Sequence, residues 1–170
     1  RSPITSTGFI DRFLVSANAF GVSVILLFNK VDIYNTKELS LLEELVNIYE
    51  EIGYRCITIS ALNDNLNDIK SILKGKNNLV SGHSGVGKST IINKILGTSI
   101  PTNEISLSHD QGQHTTTFSS LYRLDFGGTI IDTPGIKGFG LVEIDIHEIR
   151  SFFPEFVKLQ SRCKFNNCKH

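Results

Sequence analysis

Apolar residues follow two rhythms along this chain of 170 residues. The first is the short unbroken run. Residues 22–28 (Val-Ser-Val-Ile-Leu-Leu-Phe) predict a strand covered on both faces, and 54–59, 78–81 and 129–131 predict further strands. The second is helical spacing. Leu39, Leu42, Leu45, Val46 and Tyr49 predict a core-facing helix over 36–52, with Thr36 as N-cap and Gly53 as the stop. Residues 88–96 predict a helix closing at Gly97, 63–73 a shorter one, and another starts at about Gly8. A helical pattern over 144–159 is interrupted by Pro154. Gly127-Gly128 joins 118–124 to 129–131 as a hairpin. Residues 98–111 are polar without a period, and so long a loop is usually functional or mobile. Alternating strands and helices predict an α/β fold, a mostly parallel sheet flanked by helices.

Composition narrows the class. The length suits one domain with a short appendage, and the break at Pro154 divides a domain over 1–150 from a tail over 151–170. Seventeen basic and seventeen acidic side chains cancel, so there is no bulk electrostatic attraction to RNA. Three cysteines make no disulfide framework, and Cys56, inside a predicted strand, reads as a small core residue. Nothing resembles a signal peptide, and the longest apolar stretch is too short to span a membrane. A cytosolic globular protein, monomeric by default, is expected.

The chemistry begins at Gly82-His83-Ser84-Gly85-Val86-Gly87-Lys88-Ser89. This spacing is that of a phosphate loop: backbone amides enclose the phosphates, lysine neutralises them and the serine hydroxyl helps to hold magnesium. A strand enters the loop, and a helix containing Thr90 leaves it, which sets unpaired amides and the positive end of a helix dipole against polyphosphate. Asn29-Lys30-Val31-Asp32 follows the apolar run at 22–28. A carboxylate there can accept both the ring N–H and the exocyclic amine of guanine, a donor pair that adenine lacks. Asp32 is therefore the expected base reader, with Asn29 bracing the loop and Lys30 laying its stem along the base. Ser60-Ala61-Leu62, after the next strand, is small enough for a backbone amide to approach the guanine carbonyl oxygen.

Asp132-Thr-Pro-Gly135 ends the strand at 129–131. Asp132 is placed to act on the magnesium shell, and the Gly135 amide to sense the terminal phosphate. Gly112-Gln-His114-Thr-Thr116-Thr reads as a switch whose Thr116 meets magnesium and the terminal phosphate when GTP is bound. Ile136 occupies the position where many small GTPases carry a water-orienting glutamine, and an aliphatic side chain cannot orient water. His114 is the nearest candidate in sequence, since neutral imidazole can accept a hydrogen bond near pH 7. Lys88 and Thr116 complete the expected catalytic set, whereas the side chains of His83, His109 and His147 read as surface or capping groups. In the tail, Cys163, Cys168 and His170 supply three ligands suited to tetrahedral zinc, one short of a closed structural site.

The order of these motifs is rotated relative to an ordinary GTPase, because the base-reading motif precedes the phosphate loop. That order, with Gly-Gln-His-Thr-Thr-Thr, Asp-Thr-Pro-Gly-Ile, Asp11-Arg-Phe-Leu-Val15, Gly138-Phe-Gly-Leu141 and the ending Cys163-Lys-Phe-Asn-Asn-Cys168-Lys-His170, resembles the RsgA (YjeQ) family of circularly permuted, ribosome-associated bacterial GTPases. The resemblance covers nearly the whole chain. It implies GTP and GDP with Mg2+, one structural Zn2+, and hydrolysis of GTP late in small ribosomal subunit assembly, stimulated by that subunit and its rRNA. It also points to His114. Family members carry a further strand and an oligonucleotide-binding barrel upstream, and a fourth zinc ligand beyond the histidine, so the resemblance implies that this chain lacks those parts. An alternative is a nucleotide-gated RNA- or ribosome-binding module with negligible hydrolysis.

Overall fold

A computed structural model describes residues 5–98, 119–135, 140–141 and 143–164. The described chain divides into two compact units. One draws on Asn29–Asp32 and Ile59–Lys137, the other on Ile4–Phe28, Ile33–Thr58 and Gly138–His170.

In the second of these, α1 (Thr7–Ala19) is capped by the Ser6 hydroxyl, which accepts the Phe9 N–H at 3.3 Å. β1 (Ile25–Phe28) pairs in parallel with β2 (Arg55–Thr58), Phe28 opposite Thr58. β1 is shorter than the expected 22–28. Val22 still donates its N–H to Ala17 O at 2.8 Å, closing the end of α1, and so cannot join the ladder. Nor, among the described residues, is the strand covered on both faces, since Ile25 is exposed and the rest half-buried. α2 (Thr36–Ile52) matches the expected helix, but Asn35 and not Thr36 is its N-cap. Asn35 Oδ1 accepts the Glu38 N–H and Glu38 Oε2 accepts the Asn35 N–H, both at 2.9 Å, a reciprocal capping box. Gly53 ends the helix at φ 119°, a conformation costly for any residue with a Cβ.

The core of this unit gathers Ile10, Leu14 and Tyr49, with Leu26, Phe28, Leu45, Ile52, Tyr54 and Cys56 packed against them. Leu39 lies nearly two turns before Leu45, beyond this cluster, and is exposed. Burial pushes the Cys56 thiol up, as expected of a core cysteine. Residues 144–148 are not helical, because the Asp145 carboxylate accepts the His147 N–H at 2.8 Å and holds a local turn. A 3₁₀ turn over Ile149–Phe152 precedes α5 (Pro154–Gln160), with Pro154 at the first helical position, where its missing N–H costs nothing.

The other unit carries β3 (Asn77–Val80), α4 (Lys88–Leu96), β4 (Ser120–Arg123) and β5 (Thr129–Asp132), plus α3 (Asn67–Leu73). Its sheet runs β3-β5-β4, parallel between β3 and β5 and antiparallel across the Gly127-Gly128 hairpin. Backbone pairing thus sorts the five described strands into two sheets, where one had been expected. Ile91, Ile92 and Ile95 form the buried face of α4, which packs on β5, where Ile130 is fully buried. α3 starts later than position 63 because Asn63 and Asp64 both donate to Ser60 O in a turn. Among the described residues no helix is long and apolar enough to cross a membrane.

Candidate functional site

The candidate site lies within the unit containing the phosphate loop. Parallel pairing aligns the ends of β3 and β5, Val80 opposite Asp132, so the loop and the Asp132–Gly135 segment leave the sheet at the same edge. Thr133 ties them together: its N–H and its Oγ1 both donate to Val80 O, at 3.2 and 2.9 Å. Gly135 is equally close to the loop. A Cβ there would sit 2.9 Å from Ser84 Cα, a distance that side chains do not tolerate.

The loop turns through positive φ at Gly85 (81°) and Gly87 (99°), a succession that only glycine adopts without strain and that turns amides inward. Ser84 and Gly85 are exposed, while Gly82, His83 and Val86 are half-buried. Lys88 opens α4 and bends back over the loop, donating to the carbonyls of Gly82 and His83 at 2.8 and 2.9 Å. Ser89 and Thr90 follow it in the first turn, half-buried.

Lys88 and Asp132 share a desolvated corner. Burial lowers the Lys88 pKa, opposed by the charge of Asp132; burial raises that of Asp132, opposed by the charge of Lys88. For both groups, loss of water outweighs mutual attraction. Asp132 Oδ1 is buried and, among the described residues, accepts no hydrogen bond, and the hydroxyl of Ser81, the residue before Gly82, is in the same condition. An orphaned carboxylate oxygen beside a phosphate loop suits a hard, oxygen-seeking cation such as magnesium.

The Asn29–Asp32 motif meets this loop directly. Asn29 Nδ2 donates to Val86 O at 3.0 Å, while Asn29 Oδ1 accepts the Ala61 N–H at 2.9 Å. One side chain therefore joins all three motifs, and a Cβ on Gly87 would collide with its amide. Lys30, at φ 69°, is one of two described non-glycine residues with positive φ, and its Nζ donates to Gly85 O at 2.5 Å. Strained backbone of this kind collects at functional positions. Asp32 lies in a 3₁₀ turn over Val31–Ile33, its side chain exposed. Ser60 and Ala61 are buried, and Leu62 is exposed.

Sequence reasoning missed two groups. The Asp64 carboxylate accepts the Ser60 N–H at 2.6 Å, and Lys94 donates to Leu62 O at 3.0 Å. The run Asn63-Asp-Asn signalled a turn and so could have exposed the first; nothing in the sequence signals the second. His114, Thr116, Ile136, Cys168 and His170 lie outside the described residues. Cys163 is half-buried near the end of α5 and directs its thiol to Leu159 O at 3.8 Å. Among the described residues no group of three or more His, Cys, Asp or Glu is arranged to hold a metal.

A family model described as RsgA GTPase matches residues 1–142. The chain belongs to the RsgA GTPase family. A protein called small ribosomal subunit biogenesis GTPase RsgA from Flavobacterium psychrophilum is 52% identical over 99% of this chain and 52% of its own length. RsgA 2 of Bacteroides thetaiotaomicron is 55% identical over 99% of the chain and 55% of its length. The chain thus spans about half the length of these RsgA relatives. Among solved structures, YjeQ from Thermotoga maritima matches with a TM-score of 0.79 at 34% identity, covering 100% of this chain and 56% of that one. YloQ, described as a circularly permuted GTPase, matches at 0.75 and 27% identity, covering 99% and 53%. The fold is therefore the α/β fold of circularly permuted GTPases, as the motif order in this RsgA-family chain predicted.

Proposed function

We propose that this chain is the nucleotide-binding part of a factor that binds and hydrolyses GTP during late assembly of the small ribosomal subunit, with hydrolysis stimulated by the subunit. The observation that carries the nucleotide half is the double hydrogen bond of Asn29, which links the base-reading turn to the phosphate loop. The ribosomal half rests on what the RsgA relatives are called.

In this assignment Asp32 accepts from guanine, Asn29 and Lys30 hold the loop around it, and the turn at Ser60, Ala61 and Leu62 presents an amide to the carbonyl oxygen. The amides of residues 82–90, with the Lys88 ammonium, bind the phosphates, and Gly135 senses the terminal one. Ser89, Thr116 and Asp132 hold magnesium, which when bound neutralises phosphate charge. His114 orients the attacking water. Cys163, Cys168 and His170 contribute to one zinc site in a C-terminal domain that begins near residue 151, after a GTPase domain over 1–150. The factor works in the cytoplasm as a monomer.

Calorimetric titration tests the core of this assignment. GDP with Mg2+ should bind more tightly than ADP, because adenine lacks the paired N–H donors that the Asp32 carboxylate would accept. Equal affinity for the two would overturn it. Turnover should rise when small subunits are added; absence of stimulation would favour a binding module without catalysis.

A further inference from the structure

The turn at residues 60–64 is held from several sides. Asn29 Oδ1 takes the Ala61 N–H at 2.9 Å, and Asp64 Oδ2 takes the Ser60 N–H at 2.6 Å. The N–H groups of Asn63 and Asp64 both go to Ser60 O, at 3.1 and 2.8 Å. The amide of Leu62 is different: among the described residues its N–H makes no hydrogen bond, although its carbonyl is held by Lys94 Nζ at 3.0 Å. Leu62 as a whole is 74% exposed.

Lys94 sits in α4, the helix that starts at Lys88 in the phosphate loop. Six residues of helix separate the two lysines by about 9 Å along the axis. Thr90 and Lys94, at i and i+4, lie on one face of α4. That face lines a cleft of about 570 Å³ together with Ala61, Leu62 and Asn93. The cleft therefore has the base-reading turn on one side and, on the other, a rigid extension of the phosphate-binding element.

We propose that Lys94 is a positioning residue for base recognition. By holding the Leu62 carbonyl it fixes the turn relative to α4 and leaves the Leu62 N–H as the donor for the guanine carbonyl oxygen, the Ser60 and Ala61 amides being already engaged. This rests on the guanine assignment made above. It departs from it in naming which amide is used and which side chain outside the sequence motifs sets it in place.

The test compares Lys94→Met with the parent, both in the intact protein with Mg2+, using GDP, IDP and inorganic pyrophosphate. Methionine keeps the aliphatic stem and the helix propensity and removes the donor. Hypoxanthine retains the carbonyl oxygen and the ring N–H but lacks the exocyclic amine that Asp32 would accept. Lys94→Met should lower the affinities for GDP and IDP by the same factor, about tenfold, as expected when one charge-assisted hydrogen bond is lost. Pyrophosphate affinity should stay at the parent value, and Lys94→Arg should restore GDP binding to within about twofold. Parent-like GDP affinity in Lys94→Met would overturn the proposal. So would an equal loss of pyrophosphate binding, which marks general damage to α4, or a changed GDP to IDP ratio, which marks an effect through Asp32. A parent that binds pyrophosphate but neither GDP nor IDP would overturn the guanine assignment as well.

Discussion

Asp132 concentrates the tension between stability and function in this molecule. Its carboxyl is pushed up by burial more than the nearby Lys88 charge pulls it down, and one of its oxygens has no hydrogen-bond partner among the described residues. The folded chain therefore bears a cost whenever this group is ionised. The sign follows from the raised folded-state value: the cost is full well above it and disappears as pH falls through it towards the unfolded value. Asp132→Asn should accordingly raise Tm by about 1–3 °C near neutral pH. Its advantage over the parent should shrink on acidification, as thermal melts across a pH series would record. The same variant should lose about tenfold or more in Mg2+-dependent GDP affinity, because an amide is a poor ligand for a hard cation. A destabilised Asp132→Asn with unchanged affinity would show that the carboxylate serves the fold and not the ligand.

Elements were legible wherever one strong local signal had no rival. The helix over Lys88–Leu96, its Gly97 cap and the Gly127-Gly128 hairpin stand where periodicity and turn chemistry predicted. The start of α2 was misread because Asn35 and Thr36 can both cap a helix; Glu38 decides it, standing three residues after Asn35 and so completing a reciprocal box. Asn35→Ala should remove about 1 kcal/mol of stability, or about 2–4 °C in Tm, with GDP affinity unchanged because the residue makes no contact in the site. Thermal melts and titration on one preparation check both halves. The strand at residue 22 and the helix at residue 144 failed for a common reason. In each, a backbone amide was already taken by a neighbouring cap or turn, at Val22 and His147, and a residue whose N–H is engaged locally cannot extend a ladder or a helix.

For the whole molecule, the question is what completes catalysis in a GTPase-family chain with isoleucine after the Asp-Thr-Pro-Gly motif. If His114 orients water, His114→Ala should slow GTP turnover by about 10²-fold or more while GDP affinity stays within about twofold. Single-turnover kinetics with and without small subunits would read this, and an unaltered rate would remove the histidine from the mechanism. Because the chain spans about half of its relatives' length, these rates belong to the intact protein.

Phosphate-loop spacing, the Asn29–Asp32 tetrapeptide, the rotated motif order and the family were all written in the linear chain. Each motif depends on residue types at short separations, which local backbone geometry converts directly into chemistry, and the rotation depends only on the order of the motifs along the chain. The joining of those motifs was not written there. That Asn29 spans from Val86 to Ala61, that Lys94 holds Leu62, and that Asp132 and Lys88 share a dry corner are matters of residues 32 to 57 positions apart in the chain. Contacts at such separations follow from how helices and strands pack, and packing is a property of the assembled fold that no local run of sequence encodes.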